Sequence, residues 1–266
     1  MRVPITKMHG GYNDFVILDR RTAPVRDLVS FARWACDRHA GIGADGLIAI
    51  ESAAPGADAR MRAVNADGSE AEMCGNGIRC AARWLDEAGE GDRLVFQTVA
   101  GKIRTEIVAR GAEYRVRVTM PCPKIAELAL AEIGDAFLVD LGNPHVVILR
   151  PGVDEFDLER AARRLQSDRA FPGGTNVHVV ARRDARGLRV RHWERGVGLT
   201  MACGTGAVAA AAVAIEQKIV ETPVEVVVPG ATLTVEWNGR DAVQLIGPAV
   251  RVFDTEVGDG AASAQQ

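Results

Sequence analysis

Two cysteines stand in settings that can support chemistry. Cys74 lies in NADGSEAEMCGNG and Cys203 in WERGVGLTMACGTG. In each motif a glycine follows the sulfur, so backbone without a Cβ can approach a ligand closely. An Ala-rich helical pattern follows each tetrapeptide. A helix start offers free N–H groups and the positive end of the helix dipole. It holds a carboxylate or another anion and lowers a thiol pKa from about 8.5. Each motif therefore predicts an anion site together with an activated sulfur. A thiolate on one side of a carbon and a thiol on the other can remove a proton and return one to the opposite face. That inverts a stereocentre without a cofactor. Backbone N–H groups aimed at the charge developing beside a carboxylate would stabilise the carbanion. Neither motif has the Lys–Ser/Thr ending of a phosphate-binding P-loop.

The elements that must position the two sulfurs read as two copies of one unit. The first half predicts a helix over Ala23–His39, with Thr22 as cap, Pro24 in its first turn and Gly41 past its end. A second helix follows Gly75 and Gly77 and runs through Ile78, Ala81, Ala82 and Leu85 to Gly89. Strand-like runs lie at Gly46–Ile50, Arg60–Val64 and Leu94–Thr98, with alternating stretches at Lys102–Val108 and Tyr114–Met120. The second half repeats the order. Its strands are expected at Ala136–Asp140, Val146–Leu149, Thr175–Val180 and Leu188–Trp193. Its helices are expected at Glu155–Gln166, capped by Asp154, and from just after Cys203 to about Gln217. Strands at Val224–Val228, Thr232–Trp237, Val243–Ile246 and Val250–Phe253 close the chain.

Spacing supports the duplication. Asn13 precedes Cys74 by 61 residues and Asn143 precedes Cys203 by 60, while Asn65 and Glu194 each lie nine before their cysteine. The expected fold is α+β with two pseudo-symmetric domains, residues 1–119 and 120–246, parted near TMPCP. Such a pair faces across a pseudo-twofold axis, and the active site is expected in the interdomain cleft with one cysteine on each side. The strand within 247–257 is expected to pack back onto the first half, and the 258–266 tail to lack fixed structure.

Composition narrows the classes. Lys+Arg is 32 and Asp+Glu 35, a net charge of −3, without the basic excess of a nucleic-acid binder. The longest apolar run, Ala207 to Ile215, is nine residues, far short of the roughly 20 that span a bilayer. The N-terminus lacks a secretory stretch. Five cysteines, an odd number and without C-x-x-C spacing, predict a reducing cytoplasm rather than a disulfide framework. Cys36, Cys80 and Cys122 read as small buried hydrophobes. The five histidines lie far apart and form no H-x-x-x-H pair, so no metal site is indicated.

The motifs GYNDFVILD, DRHAGIGADGLI, NADGSEAEMCGNGIRCAARW, LGNPHVV, TNVHVV, WERGVGLTMACGTGA and GPAVRVFD, in this order over nearly the whole chain, closely resemble the diaminopimelate epimerase family. The resemblance implies that each half is a small β-barrel-like sheet around a central helix, and that the last strand crosses back to the first domain. It implies Cys74 and Cys203 as the catalytic thiols. Side chains matching Asn13, Asn65, Asn143, Asn176, Glu194 and Arg195 would grip substrate, and backbone groups of Gly75, Asn76, Gly204 and Thr205 would hold the reacting carboxylate. His145 and Glu194 match residues that help to move protons. Arg195 suits a bidentate grip on a distal carboxylate. Gly46 stands where some members carry Gln. The implied reaction converts the LL form of 2,6-diaminopimelate to the meso form with neither pyridoxal nor metal, in a homodimer. A racemase of the same fold acting on proline, hydroxyproline or histidine, a dithiol redox protein and a non-catalytic amino acid binding protein are the competing readings.

Overall fold

The computed structural model describes residues 2–23, 25–71, 73–130 and 134–258. The chain divides into two compact units, one running to Val118 and resuming at Pro248, the other spanning Thr119–Gly247.

The first unit begins with β1 (Arg2–Gly10) and β2 (Asn13–Asp19), then α1 (Leu28–Cys36), β3 (Gly46–Glu51), β4 (Ala59–Asn65) and the short β5 (Glu70–Ala71). Next come α2 (Gly75–Glu87), β6 (Arg93–Thr98), β7 (Gly101–Ala109) and β8 (Arg115–Met120), whose last two residues fall in the second unit. The second unit holds β9 (Lys124–Leu130), β10 (Gly134–Asp140), β11 (Pro144–Leu149), α3 (Leu158–Gln166), β12 (Asn176–Asp184), β13 (Gly187–Glu194), β14 (Gly198–Thr200), α4 (Gly204–Glu216), β15 (Val224–Val228), β16 (Ala231–Glu236) and β17 (Val243–Pro248), whose last residue falls in the first unit. The final strand, β18 (Val250–Gly258), pairs antiparallel with β1.

The duplication holds strand for strand. In the first unit the ladder runs β18-β1-β2-β3-β4-β6-β7-β8, with β2–β3 and β4–β6 parallel and the other pairs antiparallel. In the second it runs β9-β10-β11-β12-β13-β15-β16-β17, with β11–β12 and β13–β15 parallel. In both units the strand after the cysteine helix rejoins the sheet as a parallel neighbour, β6 beside β4 and β15 beside β13. Each unit's leading strand is thus the one that follows the other unit's last strand in sequence.

Each sheet carries a helix on either face. Phe31, Ala32 and Ala35 of α1 pack with Val16, Leu18, Leu47 and Ala49. Leu158, Ala162 and Leu165 of α3 do the same with Val146, Ile148, Val177 and Val179. On the other face α2 packs against β1, β2, β3, β4 and β7, and α4 against β10 to β13, β15 and β16. Sheets that touch one helix with so many strands wrap around it. That explains why α4 is Ala and Val on every side, with Ala207 through Ala214 at 0% exposure.

Helix ends differ from the sequence expectation. α1 starts at Leu28, not Ala23, because the Asp27 carboxylate accepts the Val29 and Ser30 N–H groups at 3.1 Å, while Ala23 closes a turn onto the Asp19 carbonyl. It stops at Cys36, where Asp37 takes the His39 and Ala40 N–H groups. α3 is likewise capped by Asp157, not Asp154. The glycines of CGNG lie inside α2. The expected Pro24 contribution and residues 259–266 of the tail fall outside the described residues, and Gly258 ends β18.

Glycine at the third position of each cysteine helix is dictated by what lies beneath. A Cβ at Gly77 would stand 2.7 Å from Ile48 Cδ1, and one at Gly206 would stand 2.5 Å from His178 Cε1. The Ile48 terminus can rotate away, whereas the His178 ring is held by its neighbours. Gly206→Ala is expected to cost about 1–3 kcal/mol of unfolding free energy in urea titration, with Gly77→Ala costing less. Equal costs would mean that the ring yields as readily as the methyl.

Candidate active site

Each cysteine is the N-cap of its helix, in extended backbone conformation. Cys74 Sγ accepts the Gly77 N–H at 3.3 Å, and Cys203 Sγ accepts the Gly206 N–H at 3.4 Å. Sulfur replaces the usual capping oxygen. The first turn after it is made by Gly75 and Asn76 in one unit and by Gly204 and Thr205 in the other, with their N–H groups at the positive end of the helix dipole. The structure therefore joins the sulfur and the leading amides of its helix in one turn, twice.

Around Cys74 the side chains form a directed series. The wholly buried Arg79 donates to Asn76 Oδ1 at 2.8 Å, Asn76 Nδ2 to Asn13 Oδ1 at 3.1 Å, and Asn13 Nδ2 to Asp45 Oδ2 at 2.8 Å. Asn13 Oδ1 also lies 4.0 Å from Cys74 Sγ. Arg79 further caps the Gly75 and Pro248 carbonyls at 2.9 and 3.1 Å, and burial lowers its pKa to about 10. Sequence reasoning passed over Arg79; an arginine one turn into an otherwise buried helix face was the available signal. Asn65 ends β4 in an exposed turn, its amide donating to Ser69 Oγ at 2.9 Å.

Cys203 is 3% exposed, and Thr205 Oγ1 lies 3.5 Å from its sulfur. Burial pushes this thiol well above its ordinary value of 9.0. The charge of Glu194 and a hydrogen bond to its carboxylate add to that rise, against Thr205 and the Gly206 N–H. The sequence expectation of an activated sulfur is thus reversed here, because desolvation outweighs the helix field. Cys203 rests as a thiol whose S–H faces the Glu194 carboxylate.

Asn176 is buried and uses both ends of its amide. Nδ2 donates to the Pro144 carbonyl at 3.1 Å, and Oδ1 accepts the Arg195 N–H at 3.0 Å. It thereby ties β11 to the end of β13. The Arg195 side chain is exposed and donates to the Gly173 carbonyl at 3.1 Å. His145 is wholly buried, with Nε2 2.9 Å from Asn143 Oδ1 and Nδ1 2.9 Å from His178 Nε2. Burial, reinforced by the charge of Arg195, lowers its pKa to about 3, so it is a neutral ring at physiological pH.

The remaining cysteines separate. Cys36 and Cys80 are buried, and desolvation raises them to about 11 and about 12. Cys122 is exposed, contrary to the buried reading, because the flanking prolines place it on a surface segment where its Sγ meets the Arg240 carbonyl at 3.1 Å. Among the described residues no group of three His, Cys, Asp or Glu side chains is arranged to hold a metal ion. No described helix is long and apolar enough to cross a membrane.

A duplicated sheet-and-helix unit with one sulfur-capped helix in each copy places the chain among racemase- and epimerase-like isomerases. Solved structures of that fold include a Bacillus anthracis phenazine biosynthesis protein of the PhzF family, with a TM-score of 0.73 at 16% identity over 97% of this chain and 99% of that one. An Agrobacterium vitis hydroxyproline epimerase with bound trans-4-hydroxy-L-proline follows at 0.68 and 16%, over 96% and 91%. The diaminopimelate epimerase family model matches residues 5–125 and 137–252, and the chain belongs to that family. The diaminopimelate epimerase of Rhizorhabdus wittichii is 41% identical over 272 aligned positions, covering 96% of each chain. That of Sphingopyxis alaskensis is 40% identical over 262, covering 94% of this chain and 96% of its own.

If the Glu194 carboxylate holds the Cys203 proton, Glu194→Gln removes a charge that raises the thiol pKa. The pKa falls and the thiolate fraction at pH 8 grows, by about tenfold for a pKa lowered by one. Iodoacetamide labelling of Cys203, followed by mass spectrometry against Cys122, is expected to accelerate in the same proportion. An unchanged or slower rate would show that Glu194 does not act on the sulfur.

Proposed function

We propose that this protein interconverts LL- and meso-2,6-diaminopimelate by a two-base exchange at one α-carbon. The observation that carries the reading is the pair of sulfur-capped helix starts on two copies of one fold. One sulfur, as thiolate, takes the α-proton and becomes a thiol. The carbanion is then reprotonated from the other sulfur on the opposite face, which leaves that sulfur as thiolate. Cys203, protonated at rest, is the donor in the direction where Cys74 abstracts. The charge and protons balance without any further reactant. The reading requires both sulfurs to reach one substrate carbon from opposite sides.

Amides at Gly75, Asn76, Gly204 and Thr205 would take the α-carboxylate and the negative charge that grows beside it. Asn13, Asn65, Asn143 and Asn176 would meet the amino acid ends. Arg195 would grip the distal carboxylate, and Asn176 fixes the Arg195 backbone. Glu194 would serve both an ammonium group and the Cys203 proton. His145, neutral and with both ring nitrogens engaged, orients Asn143 rather than carrying the proton. The same reading takes the protein as a cytoplasmic homodimer, the five free thiols fitting a reducing compartment.

Incubation of purified, reduced protein with LL-diaminopimelate in D₂O, without added cofactor, tests this. Meso product with deuterium at a single α-carbon is expected by NMR and chiral chromatography. Cys74→Ala and Cys203→Ala should each lower turnover by at least about 10³-fold while costing only the lost cap, about 0.5–2 kcal/mol of unfolding free energy, so that the fold is kept. Full turnover by either variant would end the two-base proposal.

A further inference from the structure

Three histidines distant in sequence meet in the second unit. His145 on β11, His178 on β12 and His192 on β13 are all buried at 1% exposure or less. His192 Nδ1 lies 2.8 Å from His178 Nδ1, and His178 Nε2 lies 2.9 Å from His145 Nδ1. His145 Nε2 lies 2.9 Å from Asn143 Oδ1. The far end, His192 Nε2, is buried without a partner among the described residues.

Ring-proton positions follow from these partners. A neutral imidazole has one donor and one acceptor nitrogen. The Asn143 oxygen can only accept, so His145 Nε2 carries the proton and His145 Nδ1 accepts. His178 Nε2 must then donate, which leaves His178 Nδ1 to accept from His192 Nδ1. His192 Nε2 ends as a bare lone pair. Reversing Asn143 would reverse every ring and leave a buried N–H at His192 with no acceptor, the rarer and costlier defect. Burial depresses the pKa of all three rings, so no imidazolium interrupts the order at neutral pH.

The duplication shows that packing alone does not require these histidines. By the repeat, His145, His178 and His192 correspond to Phe15, Ile48 and Ala63 of the first unit, which occupy matching ladder positions. Ile48 pairs with Ala63 as His178 pairs with His192, and Ile48 lies under Gly77 as His178 lies under Gly206. The first unit instead orients Asn13, the counterpart of Asn143, through Arg79 and Asn76. The counterparts of those residues in α4 are Val208 and Thr205, and Val208 has no group to offer an asparagine amide.

We propose that His192, His178 and His145 form a fixed one-directional series of ring N–H donors that sets which way the Asn143 amide faces, making His178 and His192 positioning residues for substrate binding. The series holds Asn143 Oδ1 inward and turns Nδ2 toward substrate. This last step rests on the reading that Asn143 contacts diaminopimelate.

Long-range ¹H–¹⁵N NMR on ¹⁵N-histidine protein decides the series without any activity. Neutral rings protonated at His145 Nε2, His178 Nε2 and His192 Nδ1 are expected between about pH 6 and 9. The opposite tautomers, or a charged ring, would overturn it. Kinetics with LL-diaminopimelate then test the positioning role. His178→Ile, a side chain the first unit already accommodates at this place, should raise KM about tenfold with kcat changed less than about threefold. His178→Gln, whose amide donates at one end and accepts at the other, should restore KM to within about threefold. KM unchanged in His178→Ile, or equal losses in both variants, would refute positioning. Absence of epimerase activity in the wild type would instead remove the functional reading while leaving the NMR result standing.

Discussion

The contact on which both halves depend is a sulfur accepting the third N–H of its own helix, at 3.3 Å for Cys74 and 3.4 Å for Cys203. It fixes three things in one frame: the place where the helix begins, the position of the sulfur, and the direction of the amides that follow. The glycine two residues beyond the first helical position keeps that frame tight, since any side chain there would strike the strand below. The contact also stabilises a thiolate, but its worth, about 1 kcal/mol, is small beside what burial costs an ion. At Cys203 burial and Glu194 prevail, and the same local geometry holds a thiol. Identical backbone on the two sides therefore does not imply identical protonation.

The two copies have kept their apolar architecture and diverged where they are polar. Strand order, parallel pairs and the placement of α1 and α3 match one for one. The wiring behind the equivalent asparagines does not. One unit uses a buried guanidinium that reaches back along its helix, and the other uses rings from three adjacent strands. Both supply a donor that pins an amide. A charged support needs many acceptors to offset its desolvation, which Arg79 finds in two carbonyls and Asn76. The histidine version avoids a charge altogether.

Much of this was legible in the residues. The near-equal spacings from Asn13 to Cys74 and from Asn143 to Cys203 revealed the duplication, and CGNG and CGTG located both caps. Strand cores were visible from alternation, although β1, β2, β9 and the short β5 and β14 were not assigned. The start of α1 was misplaced because Thr22 and Asp27 are both capable caps, and only the path of the chain after Asp19 chooses between them. The histidine cluster was invisible for a plainer reason. Its members are 33 and 14 residues apart and come together only through a parallel and an antiparallel pairing. The one local sign was a histidine inside NVHVVA, an apolar strand whose Val177 and Val179 face α3 while position 178 faces α4. The rise in the Cys203 pKa was equally hidden, since it depends on enclosure rather than on neighbours in sequence.

The crosswise supply of leading strands bears on the order in which the chain can mature as it is made. The second unit's ladder is complete once β17 has been synthesised, because β9 precedes it. The first unit, although its β1 to β7 emerge earlier, lacks a partner along one edge of β1 until β18 appears. The half that leaves the ribosome first is therefore the last to close, and β1 spends nearly the whole of synthesis as an open edge. The alternation of Arg2, Pro4 and Thr6 with Val3 and Ile5 along that strand suits such a wait, since a proline and a charge discourage an unpaired edge from pairing with the wrong chain.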